Sequence, residues 1–121
     1  MLTAVDHVQL AAPLGSEDRL RAYYTGVLGM TETPKQPALA ARGGCWFEAG
    51  DVRLHLGTEQ DFRPARKAHP GLRVTGIDAF AARLAAHGAP VTWDALLPGY
   101  RRFHSEDPVG NRLEFLEPEP G

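Results

Sequence analysis

Residues 53–56 read Arg-Leu-His-Leu, and residues 112–115 read Arg-Leu-Glu-Phe. Each is a short alternating run, the pattern of a strand with one buried face. Around the first, Val52, Leu54 and Leu56 form the apolar set, which turns Arg53 and His55 the other way. In the second, Leu113 and Phe115 are apolar and Glu114 points away from them. His55 and Glu114 thus hold the same place at an offset of 59 (114 − 55).

Working outward, the same order of elements surrounds both runs. Residues 4–11 predict an opening strand with Val8 and Leu10 on one face and His7 and Gln9 on the other, ended by Pro13 and Gly15. Ser16 stands at a helix N-cap position, followed by Glu17 and Asp18. Leu20, Tyr23, Tyr24, Val27 and Leu28 make one helical stripe, with Gly29 as its stop. A short strand near Met30 and a loop over 33–44 lead to strands at 45–49 and 52–56, joined by a turn at Gly50-Asp51. The second series places His69, Gly71 and Arg73 opposite Leu72 and Val74. Thr75 and Asp78 have capping-box spacing. Ile77, Phe80, Ala81, Leu84 and Ala85 repeat the helical stripe, and Gly88 ends it. Strands at 91–93, 100–105 and 112–116 follow, the last two flanking a turn at 107–111, and residues 117–121 read as a frayed tail. His7 and His69 correspond at an offset of 62 (69 − 7).

The order of elements is βαβββ twice, an α+β chain of two similar modules that must bury their sheets and helices together. The modules span about residues 3–57 and 67–118, with a connector over 58–66, and together form one domain. The chain has 121 residues, 13 Lys+Arg against 15 Asp+Glu and a net charge of −2. That balance gives no electrostatic footprint for nucleic acid or an anionic membrane. No run approaches the length of a membrane span. The single cysteine, Cys45, excludes a disulfide framework within the chain and points to a cytoplasmic protein.

The chemistry follows from the strand faces. His7, His55, His69 and Glu114 occupy repeat-equivalent places on faces the helices do not cover. If those faces curve together, three imidazoles and a carboxylate converge, a donor set suited to zinc, nickel, manganese, cobalt or iron. Arg102 shares a face with Tyr100 and His104 opposite Phe103, and is expected to pair with an anionic group on a substrate. Trp46 and His104 are expected to line the same cleft. Cys45 reads as a small buried apolar residue.

Four segments together resemble the vicinal oxygen chelate superfamily of glyoxalases, bleomycin-binding resistance proteins, fosfomycin-modifying enzymes and extradiol dioxygenases. They are Asp6-His7-Val8-Gln9-Leu10, Tyr23-Tyr24-Thr25-Gly26-Val27-Leu28-Gly29, His69-Pro70-Gly71-Leu72-Arg73-Val74, and the run from Asp107 through Phe115. The resemblance implies an α+β fold of paired βαβββ modules whose curved mixed sheets enclose a shared metal-binding cleft, with metal ligands at His7, His69 and Glu114. His55 falls where glyoxalase I has a glutamate, which leaves Glu114 as the only ligand able to move protons, the catalytic base. One divalent ion per site would serve as Lewis acid for a small, anionic, vicinal-oxygen substrate, in lyase or isomerase chemistry or in opening an epoxide. The alternative is a non-enzymatic antibiotic-binding protein of the bleomycin-binding type. The resemblance also implies a homodimer, with modules paired within one chain or between two.

Overall fold

The computed structural model describes residues 1–121. Backbone contacts divide them into two units, Met1–Pro64 and Ala65–Gly121. The first contains β1 (Val8–Pro13), α1 (Glu17–Tyr24), β2 (Thr31–Thr33), α2 (Pro37–Ala40), β3 (Cys45–Ala49) and β4 (Val52–Glu59). Its four-stranded sheet has the order β1-β4-β3-β2. The second contains β5 (Gly71–Arg73), α3 (Ile77–Ala86), β6 (Thr92–Asp94), β7 (Tyr100–Glu106) and β8 (Arg112–Pro118), in the order β5-β8-β7-β6. In each sheet the opening strand runs parallel to the closing strand and the other pairs are antiparallel. Each unit is therefore a βαβββ module with a mixed sheet.

Strand register bears out the repeat residue by residue. Gln9 pairs with His55 in the first sheet, and Gly71 pairs with Glu114 in the second. Trp46 stands across from His55, as His104 stands across from Glu114. Alternation sorts the faces. Tyr24 of α1 stacks on Phe47, and Phe80 of α3 packs on Phe103 and Phe115. Leu20, Leu54 and Leu56 complete the first core, and Ile77, Leu84 and Leu113 the second, all almost fully buried. Trp46, His55, His104 and Glu114 must then lie on the opposite, helix-free faces.

Several local expectations are corrected. The ladder of β1 begins at Val8↔Leu54 and runs through Pro13↔Glu59, so the strand starts four residues later than the alternation suggests and ends two later. As an edge strand it tolerates Pro13. Its partner β4 runs on past the expected end at 56 through Gly57 and takes in Thr58 and Glu59, which read as connector because they are polar. The Gln9 side chain lies over Gly57, its Nε2 2.9 Å from where a Cβ would stand. The 33–44 segment holds a single turn, α2, with Pro37 at its start, where a missing amide hydrogen is harmless. Helix α1 ends at Tyr24, short of Val27 and Leu28, which are half-buried in the turn beyond it.

Neither predicted cap forms. The Ser16 hydroxyl donates to the Pro13 carbonyl at 2.6 Å instead of accepting from the helix. At α3 the N-cap is Gly76, in the left-handed region at φ 68°. The amides of Gly76 and Ile77 donate to the Glu117 carboxylate at 2.8 and 3.2 Å. Asp78, the expected capping acid, accepts from Arg101 at 2.6 Å. Glu117 is thus part of the structure rather than a frayed tail, and Glu119 is also held, its amide donating to Gly99 at 2.9 Å. The far end of α3 is as expected: Gly88 at φ 80° closes a Schellman motif, with Ala89 N–H on the Leu84 carbonyl and Gly88 N–H on that of Ala85. A Glu117→Ala variant should lose about 1 kcal/mol, the usual worth of an N-terminal cap. Urea titration of the far-ultraviolet helix signal measures it, and Glu117→Gln should recover part of the loss.

Candidate functional site

Glu114 sits on β8 and is 8% exposed, a carboxylate buried on a face that carries no helix. Antiparallel pairing puts His104 of β7 directly across from it, with Nε2 3.6 Å from Glu114 Oε1. His69 comes from the segment before β5. The Glu114 amide donates to the Pro70 carbonyl at 3.1 Å, which holds that segment beside β8. His69 Nε2 reaches Glu114 Oε1 at 3.0 Å. One ligand-type atom from each of the three residues lies within 4.8 Å of the others.

The second nitrogen of His69 decides how this contact is read. Nδ1 is 2.8 Å from the Lys67 carbonyl, which can only accept, so Nδ1 carries the hydrogen. In neutral imidazole the lone pair is then on Nε2, aimed at a carboxylate oxygen. Two acceptors at 3.0 Å repel unless a positive charge joins them, either a proton on Nε2 or a bound cation. A backbone carbonyl fixing the far nitrogen is also how metal-binding histidines are usually oriented. The donor set, two imidazoles and one carboxylate, fits a divalent transition ion on this geometry.

Arg102 stands at the other oxygen. Its Nη1 is 3.4 Å from Glu114 Oε2 and its Nη2 is 3.1 Å from Asp94 Oδ2. Burial pushes the Glu114 carboxyl up, but the His69 hydrogen bond and the Arg102 charge more than offset it, and its pKa ends below the ordinary value. Burial lowers His104, and the charge on Arg112 lowers it further. Both effects favour its neutral form, which has a lone pair to offer.

In the first module the same positions carry rings. His7 stacks on His55 at 4.1 Å between centroids, and His55 stacks on Trp46 at 4.2 Å. Asp6 accepts from His7 Nδ1 at 3.0 Å. Burial and then the charge of His7 lower the His55 pKa. These residues line a recess of about 670 Å³ that Gln9, Arg53 and Glu48 also border. By register, His7, Trp46 and His55 are the counterparts of His69, His104 and Glu114. Of the four expected ligands, then, His69 and Glu114 meet in the second module, and His7 and His55 meet in the first. Sequence reasoning gave His104 the lesser part of lining a cleft, whereas it stands as the third ligand-type group beside Glu114. Its parity with Arg102, opposite Phe103, was the available signal. Cys45 is buried as expected, and burial pushes its thiol up to about 11, so it is not a reactive nucleophile.

A glyoxalase-like domain family matches residues 11–116. The chain belongs to that family. A protein from Bacillus anthracis, provisionally assigned to the glyoxalase family, shares 45% identity over 98% of both chains, with a TM-score of 0.95. An antibiotic-binding protein from Streptomyces sp. CB03234 superposes with a TM-score of 0.73 at 24% identity, over 98% of this chain and 100% of its own. A variant of the fosfomycin resistance protein of Listeria monocytogenes, in complex with Mn(II) and a dihydroxypropylphosphonic acid, does so with a TM-score of 0.74 at 13% identity, over 95% of this chain and 90% of its own. These last two show a shared fold, that of the vicinal oxygen chelate superfamily. Among curated proteins none matches. No helix is long and apolar enough to cross a membrane.

Proposed function

We propose that this glyoxalase-like chain is a metal-dependent enzyme acting on a small anionic substrate with two neighbouring oxygens. Isomerisation or lyase chemistry, or the opening of an epoxide, is the reaction class. The observation that supports this is the 3.0 Å contact of His69 Nε2 with the Glu114 carboxylate while Nδ1 is already engaged on the Lys67 carbonyl, a contact that a proton or a bound cation must bridge. His69, His104 and Glu114 would hold the ion; His7 and His55, the other two ligands of the sequence reading, are candidates to be tested by substitution. Zinc, nickel, manganese, cobalt or iron, when bound, supplies Lewis acidity toward substrate oxygens. Glu114 is the group that takes and returns a proton at its carboxylate oxygens. Arg102 holds that carboxylate in place through Oε2, and Asp94 anchors Arg102 in turn. Arg102 keeps a second hydrogen on each terminal nitrogen beyond these contacts, and these would pair with a substrate anion, its part in the sequence reading. We extend the proposal to a homodimer in the cytoplasm, its assembly to be read by sedimentation.

Metal analysis tests the reading directly. Protein purified without added metal, or reloaded after chelation, should hold one divalent ion per site, and His69→Ala should lose it. His7→Ala and His55→Ala report whether the first module contributes ligands. Wild-type protein that binds no divalent ion after reloading defeats the proposal. A second reading, sequestration of an antibiotic, is favoured by the His7–His55–Trp46 stack, a platform for planar rings. Tight binding of an aromatic antibiotic by metal-free protein, with no turnover in metal-loaded protein, would select it.

A further inference from the structure

A recess of about 240 Å³ in the second module has no part in the proposal above. Arg66, Thr92, His104, Glu106 and Arg112 line it. Arg112 lies two residues before Glu114 on β8, so both face the helix-free side. Arg66 is brought to Arg112 by the backbone. The Arg112 amide donates to the Ala65 carbonyl at 2.8 Å, and the Ala65 amide donates to Asn111 Oδ1 at 3.0 Å. The residue after Ala65 is therefore fixed beside the start of β8.

These two arginines differ from Arg101 and Arg102. Arg101 is bound to Asp78, and Arg102 to Asp94 and Glu114. No ion pair of the module engages Arg66 or Arg112. Glu106, the register partner of Arg112, is the one carboxylate on the wall, against two guanidinium groups. His104 is shared: it lines this recess and stands at Glu114.

We propose that Arg66 and Arg112 form an oxyanion subsite, taking a carboxylate, phosphate or phosphonate group. Guanidinium forks match the planar or tetrahedral oxygens of such groups with paired donors. Because His104 is common to both places, a ligand bound here has its anionic end on one side of that ring and its other oxygens toward His69 and Glu114. This orientation rests on the proposed function; the subsite itself does not need a metal.

The test uses chelator-treated, metal-free protein at constant ionic strength, titrated with inorganic phosphate, methylphosphonate and acetate. Calorimetry and amide chemical shifts report binding. Saturable binding is expected for at least one probe, with the largest shifts at Arg66, Thr92 and Arg112. Arg66→Gln and Arg112→Gln should each weaken it at least tenfold, and Glu106→Gln should tighten it. Arg19→Gln, the same charge change on α1, should leave it unchanged, and thermal melts confirm that each variant is folded. Which probe binds tightest names the group. Absence of saturable binding, or equal weakening by Arg19→Gln, overturns the subsite. Failure of metal loading with phosphate binding intact overturns the proposed function alone, and the reverse result overturns the subsite alone.

Discussion

Replacing Glu114 by alanine should lower the affinity for a divalent ion by at least a hundredfold and abolish turnover. Three effects add. The variant removes the one carboxylate of the cluster, leaving His69 and His104 as neutral donors. It removes the group that moves the proton. It also frees the Arg102 fork, which then places a positive charge within reach of the vacated position with only Asp94 to neutralise it. A cation entering beside a guanidinium that has lost one of its two carboxylates meets a repulsion that wild-type Glu114 cancels. Glu114→Gln separates these contributions, since it keeps an oxygen ligand and an acceptor for Arg102 but loses the charge. It should fall between the two, binding metal weakly and remaining inactive. A competitive chelator titration gives the affinities. Wild-type metal affinity in Glu114→Ala would place the ion elsewhere and remove the basis of the mechanism.

The part of this site that can be read from the sequence is the part set by alternation. His55, Glu114 and Arg102 take their faces from the apolar neighbours Leu54, Leu113, Phe115 and Phe103, and the parity of a strand admits no other solution once those are buried. The two-module fold follows for the same reason, because both copies carry the same alternating runs at matching offsets. What escapes is set by contacts distant in sequence. The α3 cap comes from Glu117, 40 residues beyond Ile77, while the local pair Thr75 and Asp78 offers a plausible decoy. The role of His104 depends on its register against Glu114, and register between two strands is fixed by the turn between them, which periodicity does not specify. Polar residues misled at 58–59, where the ladder to β1 outweighs composition.

That turn is where the second large effect is expected. Asp107 is 4% exposed and Asn111 1% exposed, and they close the β7–β8 connection together. Asp107 Oδ1 accepts from the amides of Val109 and Asn111 at 3.0 and 2.9 Å, and Oδ2 accepts from Asn111 Nδ2 at 3.1 Å. An Asp107→Ala change removes the carboxylate acceptor of three donors, and losing an acceptor costs about 1–3 kcal/mol where the donor stays dry. Some relaxation and water entry will recover part of this, so a loss of about 3 kcal/mol is expected, a large fraction of the stability of a small domain. The consequence reaches the site through Asn111. Its Oδ1 holds the Ala65 amide, and Ala65 in turn accepts from Arg112, so the turn binds the segment leading to His69 against β8. Loosening it should let His69 drift from Glu114 and cost tenfold or more in metal affinity, as losses of orienting contacts around metal ligands do. Asp107→Asn, which keeps one acceptor oxygen, should be milder on both counts. Urea denaturation of metal-free protein and chelator competition on loaded protein measure the two effects separately. A fall in stability with metal affinity unchanged would mean that the Glu114 amide on the Pro70 carbonyl is enough by itself to hold His69 in place.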